Sequence, residues 1–321
     1  MRTRTAHHPQ STTGLAAGAA AMGLVGGSVG VSHTLIHAPL YTVQATRYLA
    51  AAVLLWSLAK SVKQPIVRPR GREWAWLAGV AATGLVVFNV AIVRGVAHAE
   101  PAVIAVAVAC VPIVLGLIGP LLEGRTPAGR IVLAGFVVTA GSVLVLGAGQ
   151  TDTQGIGWAV LALACEAGFT LLAVPVLPKH GAVGVSVHSV WLGATMFSVL
   201  AVADEGVTAV RGLTASDWAA IGYLAVLVTA VAFVLWYSAV SALGAGRAGL
   251  LTGIAPVSAA LSGVLVGADA PDALLWVGIG TVVFGLVLGL GPRAERAVTN
   301  AATASYPEAC PLQPAGIRQT A

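Results

Sequence analysis

Apolar runs of about 20 residues alternate with short polar segments along the chain, and ten such runs can be distinguished. A helix of that length crosses the hydrocarbon core of a bilayer. The pattern therefore predicts an all-α integral membrane protein with ten transmembrane helices. The predicted helices cover residues 14–32, 41–59, 74–93, 101–122, 131–149, 155–177, 183–202, 217–240, 248–266 and 273–291.

The two halves of the chain carry the same landmarks at the same spacing. Trp74 stands at the head of one apolar run and Pro112 lies inside the next. Trp218 and Pro256 occupy the same places 144 residues later. Internal duplication of this kind is typical of secondary transporters. We therefore predict two inverted five-helix repeats. They cover residues 14–149 and 155–291.

Basic residues are concentrated on one side of the predicted bilayer. If the N-terminus is cytoplasmic, fourteen of the 17 Lys and Arg residues fall in cytoplasmic segments, and Arg211 alone falls in an outside loop. The positive-inside rule describes this asymmetry. We therefore expect a multi-pass protein of the cell (plasma) membrane with both termini cytoplasmic. The terminal segments are residues 1–13 and a tail at 292–321, rich in Ala, Thr and Pro, which we expect to be disordered.

Composition excludes most other classes of protein. With 57% hydrophobic and 9% charged residues, the chain has too few charges to cover a soluble globule. The net charge of +5 comes from Lys and Arg scattered between apolar runs, so no nucleic-acid partner is expected. Nucleotide-binding and zinc-protease motifs are missing from the sequence, and its three Cys residues have no metal-ligand spacing. We expect no enzyme activity, no cofactor and no metal, and we expect loop acids such as Glu205 to be solvated.

Two hairpins resemble a known family. They read AHAEPAVIAVAVACVPIVLGLIGPLLEGRTP, which contains Pro112 and Glu123, and AVSALGAGRAGLLTGIAPVSAALSGVLVG, which contains Pro256. Over residues 14–291 the chain resembles the EamA-type carriers of the drug/metabolite transporter superfamily. The resemblance implies a central cavity lined from both repeats, and transport of small polar metabolites or drugs driven by an ion gradient or by exchange. Such carriers have a Glu at the end of both hairpins, whereas the second hairpin here is followed by Asp269, slightly out of register.

Glu166 is the leading candidate for a functional residue. It lies near the middle of the predicted helix 155–177. An acid at that depth faces a cavity, pairs with another group or stays protonated, because an unpaired charge in the bilayer is costly. Glu166 is therefore a candidate proton-coupling site, and Thr170, one turn later, is a second candidate polar group in the cavity. The alternative is a structural hydrogen bond to a neighbouring helix.

Arg47 and Gln44 share a face of the second predicted helix. Arg47 is a candidate ligand for a substrate carboxylate, because the guanidinium is a planar fork; the alternative is a side chain that snorkels to the membrane interface. Further candidates for the cavity wall have packing or interfacial alternatives. They are Asn89, His188, Trp191, Trp236, Tyr237 and Ser28. Pro112 and Pro256 are predicted to bend their helices.

Two functions remain open. The first is a secondary active transporter, an exporter of small metabolites, amino acids or drugs that works by alternating access with proton coupling or exchange. The second is a noncatalytic membrane scaffold or a subunit of a larger assembly. A carrier requires a cavity with polar residues facing it, whereas a scaffold pairs all of its buried polar groups. The expected partners are the lipid bilayer and a small-molecule substrate, and a homodimer is possible through the pair Gly285 and Gly289.

Overall fold

The computed structural model describes residues 9–147, 149–265 and 273–291, and within these ranges the chain forms ten long helices and no β-strand. The predicted disordered tail and most of the predicted segment 1–13 lie outside the described residues. Predicted and observed helices correspond one to one. The helices are α1 (Pro9–Gly27, continued by Val29–His33), α2 (Leu40–Ser61), α3 (Glu73–Gly95), α4 (Pro101–Leu122), α5 (Gly129–Leu146), α6 (Thr153–Leu171), α7 (Leu177–Glu205), α8 (Ala215–Leu243), α9 (Ala245–Leu265) and α10 (Ala273–Leu290).

Nine of these helices in the described part of the chain are both long and apolar enough to cross a membrane. The remaining one, α2, has 22 residues and is long enough to span, but polar side chains such as Gln44 and Arg47 lower its hydropathy. Gln44 is hydrogen-bonded to Asn89 of α3 and Arg47 to Thr229 of α8, so this polar side of α2 has protein rather than lipid beside it. The structure is therefore an all-α membrane protein with five long helices in each half.

Helices from the two halves pack against each other throughout the molecule. α1 packs against α8 and α9, and α5 packs along α10. Gly285 and Gly289 lie in the α5–α10 contact, where a Cβ on either glycine would collide with Val138 or Ala134. The expectation that this glycine pair is exposed and available for a homodimer was therefore wrong, because small residues bring these two helices together inside one chain.

The connection between α8 and α9 is shorter than predicted. The sequence suggested a link over residues 241–247, but α8 continues to Leu243 and α9 begins at Ala245. Gly244 alone makes the turn, with a φ of 80°. A side chain there would be strained, and it would meet the carboxylate of Glu123.

Helices α4 and α9 are interrupted near their prolines. In α4 the helix stops at Val108 and resumes at Val111, so that Pro112 lies in the new first turn. In α9 a 3₁₀ turn, Leu251–Gly253, precedes the segment that contains Pro256. A proline has no N–H to donate to the preceding turn, which accounts for the position of both interruptions. A role of these bends in transport remains a prediction.

Each half also contains a π-helical segment that the sequence did not indicate. The described residues form three such segments, Ala81–Val87 in α3, Ala201–Glu205 at the end of α7 and Leu224–Val231 in α8. The segments in α3 and α8 begin 143 residues apart. π-Helical turns within α-helices are rare and are frequent at functional sites. Their recurrence at matching positions of the two halves directs attention to the space between α3 and α8.

Candidate functional site

A cavity of about 680 Å³ lies between the two halves of the molecule. Its walls come from α1, α2 and α3 of the first half and from α6 and α8 of the second. The connection between α1 and α2 and the C-terminal end of α3 form its rim, and Phe169 lies deeper along α6. Six of the residues singled out from the sequence line this central cavity. They are Ser28, Gln44, Arg47, Asn89, Glu166 and Trp236.

Glu166 reaches the central cavity from α6. Within the described residues its carboxyl group makes neither a hydrogen bond nor an ion pair. The hydrogen bond to a neighbouring helix, which was the structural alternative, is therefore not formed in this structure. A carboxyl group that faces a cavity without a protein partner is free to exchange a proton or to bind a cation from the cavity.

Arg47 points into the protein, not towards the membrane interface. Its Nε donates a hydrogen bond to Thr229 Oγ1 at 2.8 Å, and its Nη1 donates to Gln44 Oε1 at 3.4 Å. The guanidinium also lies 5.2 Å from the centre of the Tyr48 ring. The described residues place no acid within ion-pair distance of Arg47, so the cation is oriented by neutral groups and its charge is available to a ligand.

Gln44 and Asn89 extend this network along the cavity wall. Gln44 Nε2 donates to Asn89 Oδ1 at 2.8 Å. Asn89 Nδ2 in turn donates to the carbonyl of Leu85 at 2.6 Å and to Tyr48 Oη at 3.3 Å. Both amides thus have fixed orientations, because each uses its oxygen and its nitrogen in the same chain of bonds. The chain of bonds holds Gln44 Oε1 facing Arg47.

Thr229 is a member of this network that sequence reasoning missed. It is completely buried and belongs to the π-helical segment of α8. A threonine in an apolar run carries no signal of its own, because its hydroxyl usually bonds back to its own helix. The one clue was its place in α8, whose π-helical segment packs against α2, the helix of Arg47.

Trp236 and Tyr237 join α8 to α6 through hydrogen bonds at the inner end of the cavity. Trp236 Nε1 donates to Thr170 Oγ1 at 3.0 Å, and Tyr237 Oη donates to the carbonyl of Phe169 at 3.1 Å. The two side chains are 3% and 0% exposed, so neither belongs to an interfacial aromatic belt. Trp236 lines the cavity, whereas Thr170 and Tyr237 lie behind its wall. The expectation that these last two line the cavity is not met in this structure.

Ser28 lines the cavity from α1, but its hydroxyl is already used. Its Oγ donates to the carbonyl of Val25 at 2.7 Å. A serine bonded back to the preceding turn presents only its remaining acceptor capacity to a ligand. Ser28 therefore forms part of the wall and is not a free donor.

His188 and Trp191 lie away from the central cavity, on the part of α7 that faces α3. His188 Nε2 lies 2.9 Å from the carbonyl of Val67, and Trp191 Nε1 donates to His188 Nδ1 at 3.3 Å. Trp74 packs edge-on against both rings. A histidine that donates at one nitrogen and accepts at the other is neutral, so this pair has a packing role, and neither residue lines the cavity as predicted.

A second cavity of about 450 Å³ lies at the other end of α6 and α8. We call it the vestibule; along α8 it is lined from Val240 to Leu243, about one turn beyond Trp236. Glu123 Oε1 accepts a hydrogen bond from the Ala245 amide at 2.7 Å, and Arg125 forms an ion pair with Glu123. Arg247 completes the charged part of its wall.

Glu205, expected to be a solvated loop acid, caps α2 instead. Its two carboxylate oxygens accept hydrogen bonds from the amides of Tyr41 (2.8 Å) and Thr42 (2.7 Å) and from the Thr42 hydroxyl (2.6 Å). Free amides at a helix N-terminus favour an anion, which accounts for this contact. No group of three His, Cys, Asp or Glu residues in the described ranges is arranged to hold a metal ion.

Comparisons with known proteins place this architecture among transporters. The model of the EamA-like transporter family matches the chain twice, over residues 12–147 and 153–290. A solved crystal structure superposes with a TM-score of 0.75, covering 89% of this chain and 99% of its own at 19% identity, which shows the fold.

Two curated relatives have transporter names. The uncharacterized transporter YetK of Bacillus subtilis (strain 168) is 28% identical over 278 residues, which are 84% of this chain and 84% of that protein. A probable terminal-alkyne amino-acid exporter of Streptantibioticus cattleyicolor is 27% identical over 237 residues, 71% of this chain and 78% of that one.

Proposed function

Because the chain belongs to the EamA-like transporter family, we propose that it is a secondary active exporter of small zwitterionic metabolites, amino acids among them. The observation that carries this proposal is one cavity that contains an unpaired acid, Glu166, and a basic residue without an acidic partner, Arg47. They come from opposite halves of the duplicated chain. A relative named as a probable amino-acid exporter supports the same class of substrate.

The chemistry of the cavity fits a small amino acid. The planar guanidinium of Arg47 binds a carboxylate through paired hydrogen bonds, while the carboxyl group of Glu166 accepts an ammonium group or a proton. Phe88, Ile92 and Phe233 supply apolar wall for a side chain. The volume of about 680 Å³ lies within the range of ordinary small-molecule sites.

The two cavities suggest how substrate crosses the protein. The central cavity and the vestibule lie at opposite ends of α6 and α8, separated by the layer in which Trp236 bonds Thr170 and Tyr237 bonds Phe169. Alternating access requires that this layer opens when the opposite end closes. The distribution of basic residues supports a plasma-membrane topology with both termini cytoplasmic, in which the central cavity opens outward and the vestibule faces the cytoplasm.

The residues of the chain indicate what drives transport. The sequence has no P-loop, so hydrolysis of ATP would need another subunit. Glu166 supports proton coupling, because protonation of a carboxyl group in the cavity changes the charge that the membrane potential acts on. Substrate exchange is the second possible source.

A noncatalytic scaffold is the alternative function. That function has no use for a cavity between the halves, and it leaves no reason for an acid within the membrane-spanning helix α6 to lack a protein partner. The cavity with its unpaired Glu166 therefore favours a carrier.

The proposal is tested by transport into liposomes that contain the purified protein. The substrates are L-norvaline and a terminal-alkyne amino acid, supplied with and without a pH gradient. We expect the wild type to accumulate at least one of them in response to the gradient, Glu166→Gln to lose the response, and Arg47→Gln to lose uptake. Glu100→Gln and Arg94→Gln, exposed residues of α4's N-terminus and of α3, are the matched controls. Absence of flux for both substrates, or an unaltered response in Glu166→Gln, would contradict the proposal.

A further inference from the structure

The vestibule contains a cation that has no counter-charge. Three charged residues line it: Glu123, Arg125 and Arg247. Arg125 is paired with Glu123, which leaves Arg247 as the net charge of this group. In the described part of the chain no acid lies within ion-pair distance of Arg247.

The guanidinium of Arg247 is also partly removed from water. Its Nε is buried and has no hydrogen-bond partner among the described residues. A guanidinium N–H that is desolvated and left unpaired is costly, so such groups in proteins normally meet an anion or an acceptor. The unpaired guanidinium of Arg247 is therefore suited to bind a ligand with acceptor oxygens.

The surroundings of Arg247 limit the kind of ligand. The wall near it combines the small residues Gly244 and Gly246 with apolar side chains such as Val174 and Val240. Four parts of the chain enclose the cavity: the connections after α4, α6 and α8 and the start of α9. Such a site is suited to one small ligand that has a carboxylate and an apolar body.

We propose that the vestibule is a second binding site, at which Arg247 binds the carboxylate of a small apolar amino acid. The ligand is thereby held about one helical turn of α8 from the wall of the central cavity, on the far side of the Trp236–Thr170 contact. The identification of this ligand with the transported substrate rests on the proposed function. Binding at Arg247 does not, because it requires neither Glu166 nor any movement of the protein.

The test measures how fast individual arginines react with phenylglyoxal, using peptide mass spectrometry on the full-length protein in nanodiscs of zwitterionic lipid. The probes are L-norvaline and L-norvalinamide, which differ in the carboxylate. We expect norvaline to slow modification of Arg247 several-fold and norvalinamide to leave it unchanged. Arg211, exposed between α7 and α8, is the internal control and should react at one rate throughout.

Equal rates for Arg247 with and without norvaline would overturn the inference, and so would equal protection by both probes. A double variant, Glu295→Gln with Glu308→Gln, tests whether an acid of the C-terminal tail is the counter-ion. If Arg247 reacts several-fold faster in that variant without any ligand, the cation belongs to the tail and the inference fails. The same measurement is repeated in nanodiscs of phosphatidylglycerol. Protection of Arg247 there without norvaline would assign the site to a lipid headgroup and overturn the inference.

Arg47 is followed in the same samples and separates the two proposals. Protection of Arg47 without protection of Arg247 leaves the transport site standing and removes the vestibule site. Protection of Arg247 alone, without flux in liposomes, retains a binding site and removes the proposed export. Arg247→Gln should in addition raise the KM for norvaline presented on the vestibule side, while the KM from the other side is unchanged.

Discussion

Thr229 contributes a single hydroxyl group to the hydrogen-bond network of Arg47, yet it joins the two halves of the molecule at the residue that we assign to substrate binding. It accepts the Nε–H of Arg47 at 2.8 Å across 182 residues of chain, and it is fully buried. A hydrogen bond to a charged group contributes roughly 1.5–3 kcal/mol, so its loss should be measurable. Thr229 is a positioning residue, since it acts on a ligand through Arg47.

Thr229→Val removes the acceptor and preserves the shape of the side chain. We expect the KM for norvaline to rise about tenfold with little change in maximal rate, because Arg47 loses its orientation and about 1.4 kcal/mol corresponds to a factor of ten. Thr229→Ser keeps the hydroxyl and should restore the KM. A valine variant with the wild-type KM would show that Arg47 is held by Gln44 alone.

Glu166 illustrates the difference between a residue that sequence identifies and a contact that it does not. A carboxylate in the middle of an apolar run is visible in the sequence, because almost every neighbour is uncharged. Whether that carboxylate bonds a neighbouring helix or faces a cavity depends on the rotation of α6, which no local property records. In the structure Glu166 lines the cavity, whereas Thr170, one turn later, accepts a hydrogen bond from Trp236.

Capping acids set the N-terminal ends of helices α2 and α6: Glu205 is the last residue of α7, and Asp152 lies in the connection before α6. Glu205 accepts the amides of Tyr41 and Thr42, while Asp152 accepts the amide of Gly155 at 2.7 Å. The first contact joins the two halves of the molecule and the second is local. Each is worth about 0.5–2 kcal/mol by analogy with measured N-caps.

Glu205→Ala should free the start of α2. We expect hydrogen exchange at the amides of Tyr41 and Thr42 to accelerate about fivefold, since the loss of a cap of about 1 kcal/mol raises the open population by that factor. The neighbouring Asp204 is exposed and caps nothing in the described structure, which makes Asp204→Ala the control. If these amides exchanged at the same rate in Glu205→Ala and Asp204→Ala, the packing of α2 on α7 would hold this helix end without the carboxylate.

Asp152 predicts a dependence of stability on pH. The hydrogen bond from the Gly155 amide, and after it the contact with His98 at 3.1 Å, lower the pKa of Asp152 below its ordinary value. A lowered pKa in the folded protein means that the ionised acid stabilises the fold above its unfolded pKa of about 3.9, and that this contribution is lost as the pH falls towards the folded value. In detergent, the thermal unfolding temperature of the wild type should therefore fall as the pH is lowered, and Asp152→Asn should lack this part of the decrease. Parallel curves for the two proteins below about pH 4 would rule out this role.

At the scale of the whole molecule, the arrangement of cavities depends on how the two repeats are oriented. Five helices per half place successive halves in opposite directions across the membrane, and the equivalent π-helical segments Ala81–Val87 and Leu224–Val231 both contribute residues to the wall of the central cavity. The layer formed by Trp236 and Tyr237 belongs to one half only. The structure is thus asymmetric, with a large cavity on one side of this layer and a small one on the other.

The topology is tested with single cysteines in a variant in which Cys110, Cys165 and Cys310 are replaced by alanine. Val207→Cys, in the connection after α7, should react with a membrane-impermeant maleimide in intact cells, because the basic-residue count places that loop outside. Gln64→Cys, in the connection after α2, should react only after permeabilisation. The reverse pattern would place both termini outside, and labelling of both positions in intact cells would contradict the ten-helix topology.

The sequence alone was sufficient for the number of helices, the duplication and the candidate charges Glu166 and Arg47. These are properties of composition along the chain: the length of an apolar run, the recurrence of Trp and Pro, and a charge where few are found. The sequence did not predict the turn at Gly244, where a single residue forms the connection that was expected to take the seven residues 241–247.

Tertiary structure alone decided which side chains meet. Arg47 with Thr229, Glu205 with Thr42, and Glu123 with Ala245 are separated by 182, 163 and 122 residues. In a soluble protein an apolar stripe tells which side of a helix is buried, but lipid is as apolar as the protein interior, so here both sides look alike. The rotation of each helix, and with it the wall of the cavity, was therefore determined by packing and not by the pattern of hydrophobic residues.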